Sequence, residues 1–177
     1  MGKLYSYTYV SLDGVVESPE AWVAPFFGDE LADDLTRRLS AAAAMVLGRR
    51  TYEEFARFWP KQGDDVPFAA LNNSISKIAV SGTLEHADWH NTRVIRDGDI
   101  EQVKRDASGD LHITGSATLV RSWIERAIID EAVLVVFPTV RGTGQRLFAG
   151  SAQTNLALGD VQRFPHGVLA LTYVRRK

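Results

Sequence analysis

Cysteine is absent from the 177 residues, which excludes a disulfide, a thiolate nucleophile and any cysteine-ligated zinc. A basic excess is missing too. The 20 Lys and Arg face 22 Asp and Glu, a formal net charge of −2, whereas a nucleic-acid partner calls for a basic surplus or face. No apolar run reaches the roughly eighteen residues of a membrane span, and the N-terminus lacks a signal-peptide core, so a soluble cytoplasmic chain is expected. Histidine is sparse, with four in all. His86 and His90 stand four apart, but Asp88 and Trp89 lie between them in a loop-like stretch with no third ligand in register. No metal site is expected there. There is also no fixed-spacing repeat, low-complexity segment or linker. The length suits one domain, residues 1–177, and the 45% hydrophobic and 24% charged content is that of globular proteins.

What is present is organised around Leu111 to Leu119. A short apolar strand (Leu111, Ile113) meets Thr114-Gly115-Ser116 and passes into a helical pattern of Leu119-Val120, Trp123-Ile124 and Ala127-Ile128. Apolar pairs at three- and four-residue steps make one buried helix face. Gly115 permits a sharp turn or close approach of a ligand, and Ser116 suits an N-cap. A strand that feeds a helix N-terminus offers free N–H donors, where diphosphates bind, although many such joints are only tight turns.

In chain order, Met1 to Tyr9 looks like the start of a strand, with Leu4 to Val10 read as the first strand itself, followed by a turn at Asp13-Gly14. Glu17 to Gly28 carries Trp22, Phe26 and Phe27, enough aromatic surface to pack on a core or to wall a pocket. Asp29 to Ala44 is predicted as a helix, with Leu31, Leu35 and Leu39 on one face and the acids Asp29, Glu30, Asp33 and Asp34 at its start. Met45 to Leu47 is a second strand, and Gly48-Arg49-Arg50-Thr51 opens a helix through Phe58. Two arginines at a helix N-terminus oppose its dipole, a tension that a bound anion would relieve.

Phe68 to Ile75 is readable as a short helix or as an extended approach. Lys77 to Ser81 is a third strand, Thr92 to Ile95 a fourth, and Ile100 to Ala107 a helix. The apolar run within Glu131 to Val140 is predicted as a strand buried on both faces. Leu156 to Val161 and Val168 to Val174 are expected to pair as an antiparallel hairpin. Strands that alternate with helices early and follow one another late indicate an α/β sheet, mostly parallel, with an antiparallel edge.

In Ser11 to Gly14, Leu47 to Glu53, Lys77 to Ser81, Ile113 to Leu119, Asp130-Glu131 and Pro138 to Phe148, in that order and spacing, the chain resembles the dihydrofolate reductase-like superfamily. The branch it is similar to is that of the reductase domain of riboflavin biosynthesis. The resemblance implies a three-layer fold with helices on both sheet faces, a homodimer, and hydride transfer from NADPH to a pteridine- or pyrimidine-like ring. It places Gly48, Arg49, Arg50 and Thr51 at the cofactor phosphates, with Arg49 or Arg50 near the adenosine 2′-phosphate. It further implies that Ser81 ends a cofactor-binding strand, that Gly115, Ser116, Ala117, Thr118 and Leu119 underlie the pyrophosphate and nicotinamide, and that Leu12, Asp13 and Gly14 flank the nicotinamide. Trp22 and Phe26 are candidates for substrate contact. Asp33 lies nearest the acid that engages the substrate ring in folate enzymes, with Glu30 and Asp34 as competitors. A non-catalytic nucleotide-binding protein on the same fold is the alternative reading.

Overall fold

The computed structural model describes residues 2–176; Met1, within the stretch read as leading into the first strand, lies outside them. In chain order the elements are β1 (Leu4–Ser11), α1 (Asp29–Ala41), β2 (Ala44–Gly48), α2 (Arg49–Phe58), α3 (Ala69–Ser74), β3 (Lys77–Val80) and β4 (Thr92–Ile95). There follow α4 (Ile100–Asp106), β5 (Leu111–Gly115), α5 (Ala117–Glu125), β6 (Glu131–Phe137), β7 (Leu156–Arg163) and β8 (Leu169–Arg175). The eight strands form one sheet in the order β4-β3-β2-β5-β1-β6-β8-β7. The pairs β1–β6, β2–β3, β2–β5 and β3–β4 are parallel. Strand β8 runs antiparallel to both β6 and β7, the edge expected from consecutive late strands.

The chain gathers into two compact units. The first comprises Leu35–Ser116 with the segment ending at Leu4, and the second comprises Tyr5–Asp34 with the chain from Ala117 onward. In the first unit every residue of β2 and β3 is buried, as strands covered on both faces require. Leu39, Met45, Leu47, Tyr52, Ile75, Ala79 and Trp89 pack into one core. A lysine closes this core. Lys77 Nζ donates to the carbonyls of Ile75 (2.6 Å) and Asn73 (3.2 Å), where α3 ends, and lies 4.3 Å from the centre of the Trp89 ring. Burial lowers its pKa to about 8.

In the second unit Phe137, fully buried, stands edge-on to Tyr9, Trp22 and Phe26, with ring centres 5.3 to 6.2 Å apart. Val133, Val135 and Phe137 are inaccessible, while Leu134 and Val136 between them are only half-buried. The apolar run of β6 is expected from the sequence to be buried on both faces; one face is fully buried and the other only half-buried. The strand also stops at Phe137 rather than Val140. Pro138 brings no N–H to the ladder, and Thr139 N–H turns back to the Phe137 carbonyl at 2.8 Å.

Helix α1 likewise ends three residues early, at Ala41. The N–H of Ala43 bonds the Asp110 carbonyl at 2.8 Å, which draws the alanines into the approach to β2. Segment 69–74 resolves as helix. The outer strand β7 is largely exposed, with Leu158 and Val161 facing solvent, and its register with β8 shifts between Leu158 and Asp160, at Gly159.

Candidate active site

Parallel register sets the first unit's strand ends level. Gly48 pairs with Val80 and Val80 with Ile95, so Arg49, Ser81 and Arg96 each follow directly on aligned carboxyl ends. Such ends are where open α/β sheets bind ligands. Helix α2 begins at Arg49 with Gly48 as its N-cap, and no side chain caps it. Its first N–H groups thus lack side-chain acceptors. Arg49 and Arg50 are both exposed, and neither guanidinium has a partner among the described residues. Ser81 is buried; its hydroxyl accepts from the N–H groups of Thr83 (3.1 Å) and Leu84 (2.8 Å). The Ser81 side chain therefore shapes its own loop. Its carbonyl accepts from Arg96 Nη1 at 2.7 Å, which fixes a third arginine at this edge. Sequence reasoning missed Arg96, although a basic residue directly after a parallel strand was a readable signal.

Two glycines make the edge tight. A Cβ on Gly48 would lie 2.7 Å from Ser116 Oγ, and one on Gly115 would lie 2.9 Å from Thr51 Oγ1. Gly115 also has φ +149°, and the Gly115–Ser116 peptide is cis. Gly48, Thr51, Gly115 and Ser116 are thus brought together, the two glycines letting strand ends and helix starts pack directly against each other. Free helix-start donors, unpaired guanidinium groups and glycine-lined backbone are the donor set a dinucleotide's phosphates require. The residues fit that group.

The second unit holds the remaining candidates. Ala117, Thr118 and Leu119 form the first turn of α5. Leu12 is 62% exposed and its N–H bonds the Thr139 carbonyl at 2.8 Å. Asp13 is engaged within the protein. Its carboxylate accepts from the Ser11 hydroxyl (2.7 Å) and the N–H groups of Arg141 and Gly142 (2.9 Å each), and it pairs with Arg146 at 3.5 Å. These bonds, the Arg141 N–H foremost, hold its pKa far below the ordinary carboxylate range. The Gly14 carbonyl accepts from Leu147 N–H, and Glu17 Oε2 from Gln145 N–H at 3.0 Å. Segments 11–17 and 139–147 are thereby stapled together, with Leu12 and Val140 left exposed on the outside. Asp13→Ala should open this staple. Limited tryptic digestion is expected to cut after Arg141 in the variant far faster than in wild type; equal rates would show the turn to be held without Asp13.

Of the acids on α1, Asp33 is exposed and Asp34 is buried. Asp34 Oδ2 accepts from the Tyr7 hydroxyl at 3.0 Å. The acid directed at the protein interior is therefore the neighbour of the one the sequence favoured, and Glu30 is exposed. Trp22 is buried with its indole N–H donated to the Glu17 carbonyl at 2.9 Å, whereas Phe26 is half-buried. Trp22 thus backs the aromatic cluster, and Phe26 is the more open of the two.

A mostly parallel sheet with an antiparallel edge and a glycine–arginine helix entrance at aligned strand ends make up a dihydrofolate reductase-like fold. The chain belongs to the RibD C-terminal domain family, whose pattern matches residues 3–170. It is 27% identical over 171 residues to the uncharacterized protein YyaP of Bacillus subtilis, covering 93% of this chain and 90% of that one. Among solved structures it is similar to a diaminohydroxyphosphoribosylaminopyrimidine deaminase/5-amino-6-(5-phosphoribosylamino)uracil reductase from Thermotoga maritima, with TM-score 0.67 and 14% identity over 99% of this chain and 57% of that one. It is similar also to dihydrofolate reductase from Enterococcus faecalis complexed with NADP(H), with TM-score 0.64 and 15% identity over 99% and 98% of the two chains.

Proposed function

We propose that the chain is a cytoplasmic NADPH-dependent reductase of a pyrimidine- or pteridine-like ring, working as a homodimer. The observation that carries this reading is the uncapped start of α2, with Arg49 and Arg50 unpaired beside the Arg96-bearing strand end. When bound, the nicotinamide supplies the hydride, so the protein's task is to position and to manage protons. Arg49, Arg50 and Arg96 hold phosphate oxygens, and Gly48 and Gly115 admit the backbone close to the dinucleotide. Asp13 keeps its own loop rigid and so presents Leu12. Asp34, rather than Asp33, is the acid that manages the proton at the ring, held by Tyr7. The RibD C-terminal family and the uracil reductase relative support the riboflavin-precursor substrate class.

The test is NADPH consumption with 5-amino-6-(5-phosphoribosylamino)uracil and, separately, with dihydrofolate. Turnover of neither would remove the enzymatic reading. Cofactor choice gives an independent check. A guanidinium–phosphate contact is worth about 1.5–3 kcal/mol, so NADPH is expected to bind at least about tenfold tighter than NADH. Arg49→Ala with Arg50→Ala should erase most of that difference by weakening NADPH alone, as read by titration of both cofactors. A double variant that still discriminates would place the phosphate contact elsewhere. Exposed Leu158 and Val161 on β7 support the dimer; sedimentation at micromolar concentration decides it.

A further inference from the structure

The second unit holds a cavity of about 280 Å³ where α5 ends, β6 begins and β8 ends. Leu12 follows the opposite, carboxyl end of β1, which pairs with β6, so a strand's length of roughly 20 Å separates the two places. One wall of the cavity belongs to segment 149–155, which has neither helix nor strand. Helix α5 holds that segment with two side chains one turn apart. Arg121 donates to the Ala149 carbonyl, and Glu125 Oε1 accepts from the Ala152 N–H at 3.1 Å. Bonded walls thus keep the space open.

The charges lining it are unevenly employed. Glu125 is engaged with Ala152, and Asp130 interacts within the protein. Arg175 and Arg176 are exposed, and neither guanidinium has a partner among the described residues. Successive guanidinium groups on one cavity repel each other, and an anion between them relieves the repulsion. Gln153 and Asn155 add side-chain amide donors to the lining. The rest of the wall is apolar, with Ile124 and Ile129 buried and Leu156 half-buried. Ile124 and Leu156 also line a neighbouring cavity of about 350 Å³.

We propose that this cavity binds a small phosphate monoester, with the phosphate on Arg175 and Arg176 and an uncharged body along Ile124 and Leu156. A phosphate dianion offers three acceptor oxygens, enough for both guanidinium forks and an amide, whereas a carboxylate is filled by one fork. Cavities of this size admit small metabolites, and a mostly apolar wall with a few placed donors is the usual make-up of such sites. The site lies away from the strand ends assigned to the dinucleotide and does not rest on the reductase reading.

Phenyl phosphate is the probe, titrated into the full chain while backbone amide chemical shifts are followed, with phenol as the body lacking the charge. The amides of residues 129–132 and 153–156 are expected to shift with phenyl phosphate and not with phenol over the same range. Arg175→Gln with Arg176→Gln should weaken the binding read at those amides by at least about tenfold, and Arg49→Ala with Arg50→Ala should leave it within about twofold. Both arginines are exposed, so the glutamine pair is expected to melt with wild type. Should it melt early, Arg176→Gln alone carries the test, with an expected loss of at least about threefold. No shift at those amides, equal response to phenol, or a titration that the glutamine substitutions leave unchanged would overturn the proposal. A glutamine pair that alters only the sedimentation of the chain would assign the arginines to contact between copies and overturn it as well.

Discussion

Val135→Asp is expected to abolish folding. Val135 is fully buried in β6, in register with Tyr9 of β1 on one side and Ala170 of β8 on the other. A carboxylate there is taken wholly out of water, and a buried unpaired charge costs several kcal/mol. Typical domains have about 5–15 kcal/mol of stability in total, so one substitution removes a large part of it. The expected product is insoluble or lacks a cooperative melting transition. Val135→Ala is the control, since it removes volume without charge and should lower the melting temperature while keeping the transition. Soluble, cooperatively melting Val135→Asp would mean that β6 is not the central strand of its unit.

The second large effect is acid lability through His112. This residue of β5 is fully buried, and its pKa is pushed down to about 3, first by burial and then by the charge of Arg38. In the unfolded chain a histidine titrates near 6.5. Between about pH 6.5 and 3 the unfolded state therefore binds a proton that the folded state refuses, and stability falls as pH falls through that window. The slope from this one group reaches about 1.4 kcal/mol per pH unit where the difference is a full proton. Carboxylates titrate in the same range, so the informative quantity is the difference between wild type and His112→Gln. The variant is expected to start less stable at neutral pH and to lose stability more gently on acidification, so that the curves converge. Parallel curves from pH 7 to 4 would show that His112 takes a proton as readily in the folded chain.

Local order was legible in the sequence because its causes are local. The leucines of α1 at four-residue steps, the β-branched and aromatic run of β1 and the Gly48 and Gly115 joints each announce their element. Pairing order was not legible, since β2 meets β5 across a separation that no short window covers. Asp13 illustrates the same limit: its side chain is taken up by N–H groups 128 and 129 positions away, a contact no local pattern announces. The burial of Asp34 was within reach. That acid lies three residues after Leu31, hence on the buried face, whereas Asp33 lies two after it and points elsewhere. The helix phase, taken from the leucines, separates the two acids where a motif alignment loose by one residue does not.

Strand β7 ends one side of the sheet with its outer hydrogen-bonding groups open, and Leu158 and Val161 exposed. An edge of that kind, if flat, recruits further strands without limit. Gly159 breaks the flatness: the register slips there, and bulged strands bend and twist away from straight pairing. Filling in that slip, by deleting Gly159, would straighten the border into a template, and the chain would gain a route to fibrils that its present sequence denies it.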